Sequence, residues 1–340
     1  MTQSALLRSL ISLIVLAIAA PADAQTVADF YRGKTLTITV GLAAGGGYDL
    51  HARVLAKYLG RHVPGVPAVM VKNSPGAGGL ALVNALSGSI SRDGTEIATF
   101  DRGIALDPLF GGSQVRFDPL KLGWIGSTDN DASTCLSWHT SPVKTVDDLM
   151  RTPLIVGATG ATAVANTFPR VLNAVLNTKF VVIPGYPGAA DALVAMERGE
   201  TQGFCSLGFS ALEALRPEWV HGHKVNVFVQ LALEKSPDHP DVPLALDFAK
   251  TEADRQAIAL IVSPNRFARP FAAPPGVPPQ RLEALRRAFD DTVRDPEYLA
   301  EAKARALHVE LVTGTEIEAI LRRLYATPSE IVTRVRAAVN

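Results

Sequence analysis

Hydrophobic and polar positions alternate along the chain first with the period of a strand and then with that of a helix. The segment Thr35–Val40 is rich in β-branched residues and alternates, which predicts a strand. From Asp49 onward, apolar side chains recur on one face of a helix, and they are Leu50, Val54, Leu55, Tyr58 and Leu59. The pattern therefore predicts a strand, a tight turn and a helix at the start of the fold.

This strand, turn and helix pattern recurs along much of the chain. Strand signals lie at residues 68–72, 96–100, 124–127, 154–157 and 180–183. Glycine-rich turns follow the strands that end near residues 40, 72 and 156. Such alternation predicts an α/β fold with a parallel or mixed sheet and helices on both faces. Because open sheets of this kind bind ligands beyond the carboxyl ends of their strands, we expect the three turns to line one cleft.

Two segments near the carboxyl end carry more specific signals. The proline-rich residues 271–279 are predicted to form a hinge or surface connection, because prolines do not fit a strand interior or a helix. Thr315 and Glu318 have the spacing of a capping box, which predicts the start of a further helix there.

The first glycine-rich turn has the features of an anion-binding site. Gly45, Gly46 and Gly47 let the backbone approach a ligand closely, and the helix start beyond them offers unpaired N–H groups. A phosphate-binding P-loop would need a lysine and a hydroxyl residue that are missing here, and a dinucleotide-binding turn would need a third glycine further on. The alternative is a tight turn that holds no ligand.

The first 24 residues have the pattern of a cleaved export signal. Arg8 is followed by an apolar stretch at residues 10–20 and by Ala22-Asp23-Ala24, a small-x-small cleavage pattern. We therefore expect a mature protein in the periplasm that begins near Gln25, and a retained anchor is the alternative. The remaining chain of about 315 residues is long enough for two lobes.

Charge and motif content argue against several classes of function. The chain has 33 basic and 33 acidic residues, and this balance is unlike the basic surface of a nucleic-acid-binding protein. The segment around Ser210 fails the serine nucleophile pattern, because Leu212 stands where that pattern needs glycine. We therefore expect no enzyme, no cofactor, no metal site and no nucleic-acid partner.

The chain contains two cysteines, Cys135 and Cys205, and both lie in predicted strands. In an oxidising compartment they could form one disulfide, which closes a loop of about 70 residues and would add roughly 4 kcal/mol of stability. Two separately buried thiols are the alternative, and the sequence leaves this choice open.

Several motifs occur in the order typical of one family. Gly46-Gly47-Tyr48-Asp49 is followed by Ala52-Arg53, then by Asn73-Ser74-Pro75-Gly76-Ala77-Gly78-Gly79, Asp93-Gly94-Thr95 and Pro184-Gly185-Tyr186-Pro187-Gly188. The segment 271–278 adds a late Phe-x-x-Pro-x-Gly-x-Pro pattern. Together these motifs resemble the substrate-binding receptors of tripartite tricarboxylate transporters, called Bug receptors, over essentially the whole mature chain.

The resemblance implies a two-lobed periplasmic-binding-protein fold of type II-like form, with mixed sheets flanked by helices and a ligand cleft between the lobes. It places the large lobe at residues 26–132 plus 264–340 and the small lobe at 133–263. It implies a monomer that captures a small organic acid and delivers it to integral membrane transporter subunits. A sensory receptor that presents its closed form to a membrane histidine kinase is the alternative.

The resemblance also implies that backbone N–H groups of two turns, one in each lobe, hold the ligand's carboxylate. The ligand-binding residues predicted in this way, together with neighbouring turn residues, are Ala43, Ala44, Gly45, Gly46, Gly47, Tyr48, Asp49, Pro75, Gly76, Ala77, Arg102, Ala158, Thr159, Gly160, Ala161, Thr162, Tyr186, Cys205 and Ser206.

Two positions depart from the family pattern. Asp101-Arg102-Gly103 stands where many relatives have a Ser/Thr-rich turn, so Arg102 could clamp a second carboxylate with both arms of its guanidinium. An arginine that is solvated or paired with Asp101 is the alternative. Phe204-Cys205-Ser206 replaces the family's Phe-Asp-Asn and removes an acidic group, so the identity of the bound acid stays open.

Overall fold

Two mixed β-sheets form the framework of the computed structural model, which describes residues 26–65, 68–130, 132–161 and 163–339. The predicted signal peptide and Thr162 lie outside the described residues. The first sheet contains β1 (Thr35–Val40), β2 (Ala68–Asn73), β3 (Glu96–Thr99), β4 (Gly123–Ser127), β10 (Pro270–Ala273) and β11 (Val312–Thr313). The second sheet contains β5 (Ser133–Trp138), β6 (Leu154–Ala158), β7 (Phe180–Pro184), β8 (Gly203–Gly208) and β9 (Val225–Leu231).

Helices flank both sheets. The α-helices are α1 (Val27–Tyr31), α2 (Gly47–His62), α3 (Leu80–Gly88), α4 (Asp107–Phe110), α5 (Val146–Arg151), α6 (Val164–Leu176), α7 (Ala189–Glu197), α8 (Phe209–Leu215), α9 (Pro217–His221), α10 (Glu252–Val262), α11 (Pro279–Arg294), α12 (Pro296–Ala304), α13 (Gly314–Tyr325) and α14 (Ser329–Val339). Short 3-10 helices cover Ala77–Gly79, Arg102–Leu106, Ala245–Phe248 and Ser263–Phe267.

Strand direction decides which loops meet at the edge of the first sheet. The strand order is β11-β4-β10-β3-β1-β2, with β1 parallel to β2 and β3 and with β10 antiparallel to β3 and β4. The amino end of β10 therefore lies at the same edge as the carboxyl ends of β1, β3 and β4. In the second sheet the order is β7-β6-β8-β5-β9, where β6 is parallel to β7 and β8, and β5 is antiparallel to β8 and β9.

The two sheets define two lobes, and the predicted α/β fold class is confirmed. The chain passes from the large lobe to the small lobe between Ser127 and Ser133, and it returns after α10. The last helix, α14, packs against α6 and α10, so the carboxyl end contacts elements next to the second sheet as well. The residue bounds of the lobes remain a prediction.

The prediction that residues 271–279 contain no strand is wrong. Phe271, Ala272 and Ala273 are fully buried in β10, which lies inside the first sheet. Pro270 takes the first position of the strand, where a proline is tolerated because the strand is only beginning to pair. The other prolines of the segment follow the strand, so they leave its pairing intact.

The predicted capping box is displaced by two residues. Thr313, not Thr315, caps α13, because its hydroxyl accepts a hydrogen bond from Glu316 N and the Glu316 carboxylate accepts one from Thr313 N. The reason is that β11 pairs with β4 only as far as Thr313, so the helix begins at once after it.

The two cysteines lie opposite each other on neighbouring strands. The structure joins Cys135 of β5 to Cys205 of β8 by a disulfide, with the two Cα atoms 4.0 Å apart. Both residues are fully buried. The sulfur of Cys205 therefore belongs to the core of the small lobe.

Helix α6 is held firmly because apolar side chains surround it. Val164, Phe168, Val171 and Leu172 are each at most 3% exposed. Each buried side chain of this size contributes about 1.5–3 kcal/mol, so the start of α6 has a fixed position between the lobes. In the described part of the chain, no helix combines the length and the apolar character that crossing a bilayer requires.

Candidate functional site

A small cavity lies between the lobes, where the turn after β1 faces the turn after β6. Its volume is about 50 Å³. The residues that line it are Leu42, Ala43, Gly46, Gly47, Tyr48, Asp49, Asp101, Arg102, Thr159, Val164, Ala165, Gly188, Ala189, Phe204, Ser206, Leu207, Ala211 and Arg269. We refer to it as the central cavity.

Three helices begin at the central cavity. The capping residues of α2, α6 and α7 are Gly46, Ala163 and Gly188, and none of them offers a side chain to the first-turn N–H groups. Those N–H groups have no partner within their own helix, and they carry the positive end of the helix dipole. The backbone thus supplies donors and partial positive charge to the cavity from both lobes.

The turn after β1, residues 41–46, is fixed by the large lobe's own side chains. One oxygen of Asp49 accepts hydrogen bonds from Gly45 N and from Arg53 Nε, each at 2.9 Å. The other accepts one from Asn73 Nδ2 at 2.9 Å, and that amide group also donates to Leu42 O at 3.1 Å. Burial alone would raise the pKa of Asp49, but these hydrogen bonds hold it below its usual value. Asp49 therefore fixes the conformation of residues 41–46, and we call this segment the large-lobe turn.

The turn after β6 makes its contacts across the cleft. A Cβ added to Gly160 would lie 2.7 Å from the carbonyl carbon of Ala77 in the other lobe. Within the small lobe, Asn166 Nδ2 donates to Ala161 O at 2.5 Å. Nearby, Ala43 N donates to Pro187 O at 3.4 Å and joins the lobes directly. The two lobes are therefore in contact at residues 158–161, and we call this segment the small-lobe turn.

Arg102 is buried and links the lobes through neutral partners. Its guanidinium donates to Asn265 Oδ1 and Ser133 Oγ, to Tyr48 Oη at 3.2 Å, and to Ser206 O at 3.5 Å. Only 3% of the residue is exposed, and among the described residues no salt bridge joins it to a carboxylate. Neither of the sequence alternatives, a solvated arginine or an Asp101 pair, describes this arrangement.

Asp101 and Tyr48 complete the polar lining next to Arg102. Asp101 accepts hydrogen bonds from Gly103 N at 2.8 Å and from Val164 N at 3.3 Å, so it caps α6 from the opposite lobe. Burial raises the pKa of Asp101 and also that of Tyr48. The Tyr48 oxygen accepts from Arg102 N at 3.1 Å as well as from the guanidinium, which leaves its own hydrogen to donate.

Arg269 was missed in the sequence analysis. It precedes β10, and because that strand is antiparallel, Arg269 meets the carboxyl ends of β1 and β3 at the cavity. It is 6% exposed, and its Cζ lies 4.7 Å from the centre of the Tyr48 ring. The sequence feature that indicates Arg269 is an arginine close before the apolar run Phe271-Ala272-Ala273. Because prolines flank that run, its sequence does not have the pattern of a strand.

Next to the cavity, where the chain first crosses between the lobes, the buried His51, Thr128 and Asp129 form a polar cluster with the exposed His308. His51 Nδ1 is 2.9 Å from Thr128 Oγ1, and His308 Nδ1 is 2.8 Å from Asp129 Oδ1. Burial lowers the pKa of His51 to about 4, so this imidazole is neutral at pH 7. Burial would raise the pKa of Asp129, but His308 and Arg269 hold it low, and the carboxylate stays ionised.

The structure brings most of the predicted ligand-binding residues to two adjoining spaces. Those at the central cavity are Ala43, Gly46, Gly47, Tyr48, Asp49, Arg102, Thr159 and Ser206. Those at a more open groove of about 500 Å³ are Pro75, Gly76, Ala77, Thr159, Gly160, Ala161 and Tyr186. Four others line neither space, namely Ala44, Gly45, Ala158 and Cys205. Within the described ranges, no cluster of three or more His, Cys, Asp or Glu side chains could hold a metal ion.

Comparison with known sequences gives a distant relationship. No protein-family model matches the chain. A protein of Cupriavidus necator, described as the UPF0065 protein in the gbd 5′ region, is 24% identical over 290 residues, which cover 82% of this chain and 80% of that protein.

Comparison with solved structures gives the fold. The periplasmic binding protein BugD superposes with a TM-score of 0.72 at 19% identity, over 90% of this chain and 98% of BugD. MatC of Rhodopseudomonas palustris with bound malate gives a TM-score of 0.69 at 19% identity, over 91% and 99% of the two chains. The R. palustris protein Rpa4515 with adipate gives 0.69 at 15% identity, over 89% and 97%. The resemblance to the Bug receptors is thus confirmed at the level of the fold.

Proposed function

We propose that this chain, which has the fold of the Bug periplasmic binding proteins, is a receptor that captures a small organic acid between its lobes. The observation that carries the proposal is the convergence of three helix starts and two buried arginines on one interlobe cavity. An isolated buried guanidinium is costly, and an anion placed beside it offsets that cost. The binding site therefore favours a negatively charged ligand.

Capture follows from contacts with both lobes. The start of α2 offers N–H donors on one side, and the start of α7 offers them on the other. The start of α6 also faces the cavity, but its first N–H group already donates to Asp101. A ligand stabilises the closed form only to the extent that it binds that form better than the open one. An anion that touches both sets of donors meets this condition.

We further propose that the receptor works in the periplasm and delivers the acid to a membrane transporter without changing it chemically. The solved proteins of this fold include periplasmic binding proteins, and MatC holds malate. Closure of the two lobes over the acid would change the surface that the receptor presents, and this change would let a transporter distinguish the loaded receptor from the empty one. The cavity residues form an anion site, and we assign no nucleophile–base pair to them.

Ligand capture is tested by differential scanning fluorimetry of the refolded, ligand-free chain without its first 24 residues. The panel contains malate, adipate, citrate, benzoate, glucose and AMP, each at about 1 mM, with adipamide as the uncharged partner of adipate. A carboxylate with a micromolar Kd should stabilise by roughly 4 kcal/mol at this concentration, and adipamide should not. A shift confined to glucose or AMP would overturn the proposal.

Delivery and chemical inertness need separate measurements. NMR of the acid after overnight incubation with the protein should show the unchanged compound, and a product would indicate an enzyme. Deletion of the gene in its own organism should abolish high-affinity uptake of the radiolabelled acid, and expression from a plasmid should restore it. Uptake that persists without the gene would contradict delivery.

A further inference from the structure

We propose that Arg269 binds the ligand's carboxylate directly and is the residue that makes this receptor require a full negative charge. The inference rests on the proposed function and assigns the charge recognition of that site to one side chain. The predicted anion contacts are backbone N–H groups and Arg102, and Arg269 belongs to neither set.

The two cavity arginines differ in how many hydrogen bonds their guanidinium groups already make. Arg102 donates to four acceptors, which are Asn265, Ser133, Tyr48 and the carbonyl of Ser206. The Arg269 guanidinium donates only to Ala268 O, through Nη1 at 2.9 Å, among the residues that the structure describes. Its Nε is buried without a hydrogen-bond partner in the same part of the chain. Arg102 is thus largely committed to linking the lobes, whereas Arg269 keeps most of its donors.

The donors that Arg269 keeps lie along one edge of its guanidinium. A Cβ built on Gly47 would lie 3.1 Å from Nη2 and 3.5 Å from Nε of Arg269. The Nε and Nη2 atoms therefore face the first residue of α2. These two atoms form the edge of a guanidinium that holds the two oxygens of a carboxylate in parallel hydrogen bonds. The glycine at position 47 is needed here because any side chain would crowd that edge.

Arg269 brings a positive charge against the amino end of α2, where the helix dipole is already positive. Among the described residues, no salt bridge joins Arg269 to a carboxylate. Burial acts to raise the pKa of Asp101 and of Asp129, and the positive charge of Arg269 opposes that effect on both. A cation and a positive helix end at the same buried position repel each other. An anion bound between them would be attracted to both, which offsets that repulsion.

The Arg269 guanidinium is held in place by contacts on its ring-facing side and at its backbone. Its carbon stacks 4.7 Å from the Tyr48 ring centre, and its backbone N donates to Ser127 Oγ at 3.0 Å. These contacts hold the side chain in place before the ligand arrives, so little conformational freedom is lost on binding. The volume of about 50 Å³ leaves room for a compact group such as one carboxylate beside this edge.

The test is isothermal titration calorimetry of malate and adipate with the wild-type chain and with Arg269→Gln and Arg269→Lys. Loss of a buried, hydrogen-bonded charge partner should weaken the Kd by roughly 100-fold in Arg269→Gln. Arg269→Lys keeps the charge but cannot form two parallel hydrogen bonds, so its Kd should lie between that of the wild type and that of Arg269→Gln. Thermal unfolding without ligand verifies that each variant is folded.

Arg216→Gln is the matched control. Arg216 also has a buried Nε without a partner among the described residues and stacks on an aromatic ring, Trp219 at 5.3 Å, but it does not line the cavity. Its variant should bind like the wild type. Binding by folded Arg269→Gln within threefold of wild type would overturn the inference and leave the proposed function standing. A wild-type chain that binds no carboxylate would overturn both.

Discussion

The two turns that face each other across the cleft are stabilised in different ways. The large-lobe turn is held by Asp49, which contacts Gly45, Arg53 and Asn73 within its own lobe. The small-lobe turn packs against the opposite lobe, where Gly160 meets Ala77 and Asp101 caps the start of α6. The side chain that fixes the large-lobe turn therefore comes from its own lobe. The small-lobe turn is also held within its lobe by Asn166, but its closest backbone approach is to the opposite lobe.

This difference assigns the two turns different parts in binding. A preorganised turn loses little freedom when a ligand arrives, so it can form the first contacts with the acid. A turn whose contacts form across the cleft responds to the approach of the other lobe, so it connects ligand binding to closure. Arg269 belongs with the first turn, because it packs against Gly47 and Tyr48 in the large lobe.

The largest effect is expected from removing the centre of the large-lobe turn. Asp49→Ala leaves the Gly45 N–H group without its acceptor and removes one of the two acceptors of the Asn73 amide. The free energy of unfolding should therefore fall by about 4 kcal/mol and carboxylate binding should be lost. Urea denaturation and calorimetry measure the two effects. Asp191→Ala removes the exposed acidic residue in the first turn of α7 and should cost less than about 1 kcal/mol. Equal losses in both variants would contradict the contrast between the turns.

A somewhat smaller loss of stability is expected when the pH is lowered, because His51 in α2 is buried. Its folded pKa of about 4 lies below the ordinary value of 6.5, so the unfolded chain takes up a proton first as the pH falls. The stability that the neutral imidazole contributes is present above pH 6.5 and is lost between pH 6.5 and 4. The loss should be roughly 3 kcal/mol.

The pH effect is measured by urea denaturation at pH 7.5, 6.0 and 4.5. His51→Gln should remove this part of the pH dependence, whereas His221→Gln, at an exposed position, should leave the wild-type dependence unchanged. Identical pH profiles for wild type and His51→Gln would show that His51 is not held neutral by its surroundings.

The smallest effect is expected from obstructing closure at the small-lobe turn. A methyl group at Gly160 would lie 2.7 Å from Gly78 N and from the Ala77 carbonyl carbon. Gly160→Ala should therefore weaken carboxylate binding about tenfold, while the Tm of the ligand-free protein stays unchanged because the open form has room. Gly88→Ala, whose Cβ would meet nothing within 4 Å, is the control. A matching drop in the ligand-free Tm would show that the Gly160 contact persists without ligand.

The contrast between local and distant contacts also decides how much could be predicted from the sequence. The large-lobe turn was predictable because its strand, its glycines and its helix are adjacent in the chain. The role of Asp49 as the acceptor that fixes this turn could not be predicted, because its partner Asn73 comes from another strand. Arg269 was not predictable because its position depends on the antiparallel direction of β10, and no local pattern gives strand direction. Arg102 was predicted as a cavity residue, but its neutral partners come from four distant segments.

A crystal structure of the chain with adipate tests the central claim most directly. The account predicts a carboxylate in the central cavity, with its oxygens within hydrogen-bond distance of Arg269 Nε and Nη2 and of N–H groups at the starts of α2 and α7. A carboxylate that lies instead in the open groove beside Pro75 and Tyr186, with no contact to Arg269, would contradict it.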